Sequence, residues 1–131
     1  MVAERAANCC EYCRCPASHT SGDFSVEHIV PRSGGGTDDL ENLAWSCQGC
    51  NNRKFTAMVS PDPITQISVR LFHPRRHAWA AHFQWSDDAL TITGKTATGR
   101  ATVERLKLNR LCIINLRRAL IAVGEHPPSD Q

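Results

Sequence analysis

Two pairs of cysteines, Cys10-x-x-Cys13 and Cys47-x-x-Cys50, bracket a stretch that carries a carboxylate and an imidazole side by side at Glu27-His28, with carboxamides at Asn42 and Asn51. Each knuckle can place two thiolates on one ion, and two knuckles supply the four ligands that tetrahedral structural zinc takes. Four buried thiols or two disulfides are the alternative. The paired spacing argues for metal, as does a first segment, Met1 to Asn8, with Glu4 and Arg5 in place of a long apolar run. His28 supplies an imidazole that, neutral near physiological pH, can take a proton from an attacking water. Glu27 and Asn51 offer hard oxygens, which suit Mg²⁺ or Mn²⁺ better than zinc. Taken singly these residues have plainer readings: a histidine at a strand end, a solvent-facing glutamate, and an asparagine capping the helix after Cys50.

Something must hold these groups together, and residues 14–46 form an excursion longer than the roughly 15–20 residues of a simple zinc ribbon. Phe24 to Val30 is strand-like and is stopped by Pro31. Ser33-Gly-Gly-Gly-Thr37 then permits a tight reversal. Leu40 to Trp45 gives a second short apolar segment, and Cys50 to about Met58 reads as a helix of moderate propensity. Strand, loop, strand and helix make a ββα unit pinned at its base by zinc, on which His28 and Asn51 can face one another. The Asn42 amide is placed to bond the loop that carries His28.

Glu27-His28, Pro31, the glycines before Asn42-Leu43, and Cys47-x-x-Cys50-Asn51-x-x-Lys54 occur in the order that resembles the HNH endonuclease family. That resemblance implies an α+β fold with a zinc-stabilised ββα-metal (His-Me finger) core, and hydrolysis of DNA phosphodiester bonds. It makes His28 the general base, sets the catalytic divalent ion at positions 27 and 51, and has Asn42 hold the loop. His28, Glu27, Asn42 and Asn51 are thus the expected catalytic set, with Zn²⁺ structural and Mg²⁺ or Mn²⁺ stabilising the leaving 3′ oxygen. Two positions depart from the commonest pattern: Glu27 stands where Asp or His is frequent, and Asn51 where His is expected.

A single domain with a modest core fits 131 residues that are 41% hydrophobic and 21% charged. The expected divisions are a core at about 9–58, an extension at about 59–124 and a flexible tail at 125–131. In the extension, Ser60-Pro-Asp-Pro63 is a turn and Val69 to Phe72 a strand. His82 to Trp85 and Leu90 to Thr93 form a hairpin, Thr98 to Lys107 a helix, and a second helix aligns Ile113, Leu116, Leu120 and Val123. LFHPRR, the HF-x-W segment and TGRATVERLKLNR resemble the C-terminal half of small stand-alone bacterial HNH proteins, extending the likeness from about Cys9 to Gly124. Trp79, Phe83 and Trp85 could stack on bases, but core packing ranks higher.

Cys9 and Cys15 read as bystanders, with Cys15 an alternative fourth ligand, and Cys112 as a core residue. Residues 1–51 hold 3 Lys/Arg against 7 Asp/Glu, whereas residues 52–131 hold 12 against 6, so basic surface lies downstream of the motif. Arg53, Lys54, Arg75 and Arg76 are the expected phosphate contacts. DNA is the expected partner, with no membrane anchor and a reducing, cytoplasmic setting; a protein partner or homodimer stays open. Two other function classes compete: a non-catalytic zinc-ribbon module that binds nucleic acid, and an interaction subunit of a larger nuclease assembly.

Overall fold

Residues 1–129 are described by a computed structural model, a mixed α/β chain built on three separate antiparallel strand pairs. A short N-terminal helix α1 (Val2–Arg5) precedes the first pair, β1 (Ser25–His28) and β2 (Leu43–Ser46). Their register sets Glu27 opposite Ala44 and His28 opposite Leu43. Strand alternation turns Glu27 inward, 5% exposed, and Val26 outward. The connection must double back beneath the end of β1, and glycine makes this possible: a Cβ on Gly36 would lie 1.7 Å from the Val30 carbonyl oxygen.

Helix α2 (Gln48–Lys54) follows β2 directly, and Cys47 is its N-cap, with Sγ accepting from the Cys50 amide at 3.5 Å. The helix starts earlier and stops sooner than its apolar pattern predicts. Phe55 adopts φ 49°, ψ −118°, and a non-glycine residue in that conformation breaks the helical path three residues before Met58. The chain then forms a hairpin the sequence reading treated as turn and lone strand, β3 (Val59–Pro61) against β4 (Ser68–Arg70).

One turn of helix, α3 (Trp79–His82), runs into β5 (Phe83–Trp85), which pairs with β6 (Ile92–Gly94). Helix α4 (Ala97–Leu106) opens on a Thr96 cap whose hydroxyl accepts from the Gly99 amide at 3.0 Å, and it ends where Lys107 turns left-handed. In α5 (Leu111–Ala122), Ile113 and Leu120 are buried and Leu116 packs beside them, while Val123 is exposed beyond the helix end. Cys112 departs from expectation. It is exposed, because a helix rotates about 100° per residue and Ile113 takes the inward position.

Leu71, Phe72, Phe83, Ile92, Leu106, Leu108 and Ile113 join Tyr12, Ile29, Ala44 and the buried cysteines in one apolar cluster. Trp79 and Trp85 pack against it, their rings 5.5 Å apart, so neither indole stands free for a base. Within residues 125–129 the Glu125 amide bonds Leu120 at 2.8 Å, and His126 meets the Ala89 carbonyl at 2.8 Å and the edge of Trp85 at 4.5 Å. Residues 130–131 lie outside the described residues. Among the described residues no helix is long and apolar enough to cross a membrane.

Candidate active site and metal centre

The Sγ atoms of Cys10, Cys13, Cys47 and Cys50 all lie within 4.8 Å of one another, and all four residues are buried. Cys13 and Cys47 are separated by 3.8 Å, the edge of a tetrahedron whose centre is about 2.3 Å from each sulfur. No disulfide joins the cysteines, and the donor set fits a structural zinc ion. The Cys15 thiol lies 3.3 Å from that of Cys13, and its carbonyl accepts from the Cys10 amide at 2.9 Å, closing the first knuckle. Cys9 forms a β-bridge with Pro16 on the same turn.

Two arginines from the far end of the sequence reach this cluster. Arg110, at the start of α5, donates to Cys47 Sγ at 3.4 Å and Cys50 Sγ at 3.7 Å, and Arg117 approaches the Cys13 carbonyl at 3.5 Å. Burial works against the Arg110 charge, but attraction to Cys50 and Cys13 holds its guanidinium above the ordinary value. Sequence spacing gives no sign of either contact, since only the docking of α5 brings them about.

His28 stands at the end of β1 on an open recess of about 430 Å³, shared with Glu27, Arg32, Asn51, Phe55 and Thr56. Its Nε2 is 2.7 Å from Asp38 Oδ1, and Arg32 donates to the same oxygen at 2.9 Å. Those two partners, His28 foremost, hold the Asp38 carboxyl below its usual range. An ionised carboxylate only accepts, so the pair sets the Nε2–H tautomer and leaves a lone pair on Nδ1. Asp38 was absent from the sequence reading. The only signal for it was an acid in the glycine-rich loop, ten positions from the histidine.

Asn42 is buried and holds that loop at three points. Its Oδ1 accepts from the Val30 amide at 2.9 Å, and its Nδ2 donates to the carbonyls of Val30 at 3.0 Å and Thr37 at 2.8 Å. Asn51 does not cap α2, since Cys47 does. Its amide makes no hydrogen bond among the described residues and lies half-buried on the recess with His28.

Glu27 is differently placed. Lys54 Nζ is 2.6 Å from Oε1, and the Tyr12 hydroxyl donates to Oε2 at 2.6 Å. Burial pushes the Glu27 carboxyl up, while Lys54 and Tyr12 work against that shift; burial and Glu27 together keep the Tyr12 hydroxyl protonated. The same ammonium donates to the Ile29 carbonyl at 2.8 Å, so Lys54 grips the chain on both sides of His28. The acid thus reaches the recess already neutralised. A dication at Oε1 would meet an ammonium, which makes Asn51 the better fitted of the two expected ligands.

This geometry revises the expected phosphate contacts. Lys54, its side chain 2% exposed, faces inward. Arg75 is ion-paired with buried Glu11, and burial lowers its guanidinium to about 10. Arg53 is exposed and donates to the Gly49 carbonyl at 3.1 Å, whereas Arg76 is exposed with no partner among the described residues.

Residues 10–56, which contain both knuckles and the whole recess loop, match the family model described as HNH endonuclease. They form an HNH domain. The chain is similar to the Septu protein PtuB of Bacillus thuringiensis, 30% identical over 125 residues that make up 90% of this chain and 43% of that protein. It is also similar to the CRISPR-associated endonuclease Cas9 of Corynebacterium diphtheriae, 31% identical over 106 residues, 76% of this chain and 9% of Cas9. The chain therefore spans less than half the length of either relative, and no solved structure matches it. The four cysteines, His28, Asn42 and Asn51 fall within the HNH segment, whereas Arg110, Arg117 and Trp79 support it from outside.

Proposed function

We propose that the protein is a metal-dependent nuclease of the ββα-metal type that hydrolyses DNA phosphodiester bonds. The observation that carries this reading is one recess holding a histidine whose Nε2 rests on Asp38 and an asparagine whose side-chain carboxamide has no partner among the described residues. His28 Nδ1 takes the proton of the attacking water while Asp38 steadies Nε2–H and the imidazolium that forms. Asn42 keeps the 30–37 loop, and with it His28, in register. Asn51 would hold Mg²⁺ or Mn²⁺, with Glu27 the other expected ligand on the recess; when bound, the ion would neutralise charge on the leaving 3′ oxygen. Zinc at the four cysteines fixes the base of α2, and the thiols fit a reducing, cytoplasmic setting.

The test is cleavage of supercoiled, linear and single-stranded DNA across Mg²⁺, Mn²⁺ and Zn²⁺. His28→Ala should lower the rate on the order of 10²–10⁴-fold with zinc content unchanged. Asn51→Ala should instead regain activity as Mg²⁺ or Mn²⁺ is raised. Parent-like cleavage by His28→Ala removes it as the base. The competing reading, an interaction subunit of a larger assembly, draws on exposed Ile64 and Ile67, 72% and 65% exposed between β3 and β4. It requires that the purified chain bind a protein partner and cut nothing alone. A non-catalytic zinc module would bind DNA equally well with or without His28.

A further inference from the structure

A second and larger hollow, about 450 Å³, lies across the wall formed by residues 29–34 from the His28 recess. The partition falls where β1 ends: His28, its last residue, lines the recess, and the next residue, Ile29, lines the hollow. Its floor is apolar, formed by Met58, Val59, Leu71 and Phe72. Arg70 and Arg76 stand on its rim, both exposed.

These two guanidiniums share a property that sets them apart. Among the described residues, neither has a hydrogen-bond or ion-pair partner, while the remaining lysines and arginines all hold a carboxylate, a carbonyl, a sulfur, an amide or an aromatic face. Two histidines add directed donors. His73 Nδ1 accepts from the Arg75 and Arg76 amides, both at 3.2 Å, and His77 Nδ1 accepts from the His73 amide at 3.1 Å. With Nδ1 occupied as an acceptor, each neutral ring carries its proton on Nε2. Burial lowers His73 to about 4, so its ring is neutral at physiological pH.

We infer that this hollow receives one unstacked nucleotide of the substrate strand, its base against the Met58–Phe72 floor and its phosphates on Arg70 and Arg76. The volume falls in the range of small-ligand pockets, roughly 300–1,000 Å³. A bare phosphate would use the rim and leave the apolar floor wet; a purely apolar ligand would leave two cations unpaired. His28 lines one side of this wall and Ile29 the other, which is what would bring the nucleotide next to the scissile phosphate on the same strand. The inference rests on the nuclease reading and adds to it a site that holds the base flanking the cut.

The experiment measures binding of labelled single-stranded and duplex oligonucleotides to the full chain carrying His28→Ala, so that substrate survives. Arg70→Ala with Arg76→Ala should weaken binding about tenfold or more, and on single strands should lower the log–log salt slope by about 1.4, at about 0.7 per phosphate contact. An abasic scan should show one position where removing the base weakens binding by about tenfold. Met58→Trp, which fills the floor at a 44% exposed position, should abolish that position's effect without altering zinc content. If the arginine pair and Met58→Trp bind as the His28→Ala parent does while the unmodified protein cleaves DNA, the nucleotide site is wrong and the nuclease reading stands. Should the protein neither bind nor cut nucleic acid, both fall together. If dAMP alone binds and no abasic position matters, the hollow serves a free nucleotide and the strand assignment is overturned.

Discussion

Residues 59–124 fill the core with Leu71, Phe72, Phe83, Ile92, Leu106, Leu108 and Ile113, whereas residues 9–58 contribute mainly thiols, one tyrosine, Ile29 and Ala44. The first region is held by apolar burial, at roughly 25 cal/mol per Å². The second has little such surface and relies on polar devices instead: the four-cysteine cluster, the Lys54–Glu27–Tyr12 network and the Asn42 clamp. Several contacts cross the boundary. Trp79 donates to the Tyr12 carbonyl at 3.1 Å, Arg110 reaches the cysteines, and Arg75 pairs with Glu11. A recess loop set on polar constraints can hold exact positions without a large core, and it draws bulk stability from its neighbour.

Metal removal should separate the two regions most sharply. Structural zinc in small domains contributes on the order of 10–16 kcal/mol of apparent binding energy. Elemental analysis should find one zinc per chain, and strong chelation or Cys47→Ser should abolish the ordered environment around Trp45 and the recess. Full stability in Cys47→Ser, or no zinc in folded reduced protein, would end the contrast at its root.

The buried ion pair supplies the next largest effect. Lys54→Met leaves Glu27 buried beside no cation and should cost about 3–5 kcal/mol in denaturant unfolding, most of it recovered by adding Glu27→Gln. If the single change is as stable as the parent, the network does not hold residues 9–58. Asp38→Asn acts on chemistry and not stability. It should slow cleavage on the order of 10–10²-fold, the scale seen for partners that orient functional histidines, with unfolding unchanged. An equal rate would show that Nε2 needs no anion.

The smallest effect belongs to the second region. Asp62 is buried and paired with Arg100, 2.8 Å away, which holds its carboxyl below the ordinary value of 3.8. A depressed folded value means that the pair's stabilisation is present above about pH 4 and is lost as pH falls from there through the folded value. Asp62→Asn should therefore flatten the acid limb of a stability–pH profile and leave the neutral region's slope alone. A limb that keeps its shape would assign acid sensitivity to other carboxyls.

What was legible in the sequence is what depends on short spacing. The convergence of four cysteines, the Glu27-His28 pair at a strand end and the HNH character of residues 10–56 each come from residues whose separation fixes their geometry. The helix after Cys50 was misjudged in extent because Phe55 leaves the helical region for a reason no propensity expresses. Charge was the least legible quantity. Lys54, Arg75 and Arg76 look alike as letters, yet burial against Glu27, pairing with Glu11 and freedom on a rim give them three unrelated roles. Asp38 and Arg110 were unreadable for the same reason, since a loop closure and the docking of α5 create their contacts.

Arg110 and Arg117 have a consequence for the electric field that a nucleic acid would meet. Zinc with four thiolates carries a net charge of about −2. Arg110 lies against two of those sulfurs, and Arg117, 2% exposed and bound to the carbonyls of Leu90 and Leu108, comes up behind the first knuckle. With zinc bound, the two guanidiniums would offset most of that charge, and the staple beside the recess would not repel a polyanion passing over it. By the same account these two arginines add little to the outer surface, Arg117 being buried and Arg110 half-buried. Part of the charge of the basic half is thus turned toward the cysteines, and the rim of the larger hollow is among its exposed parts that no acid compensates.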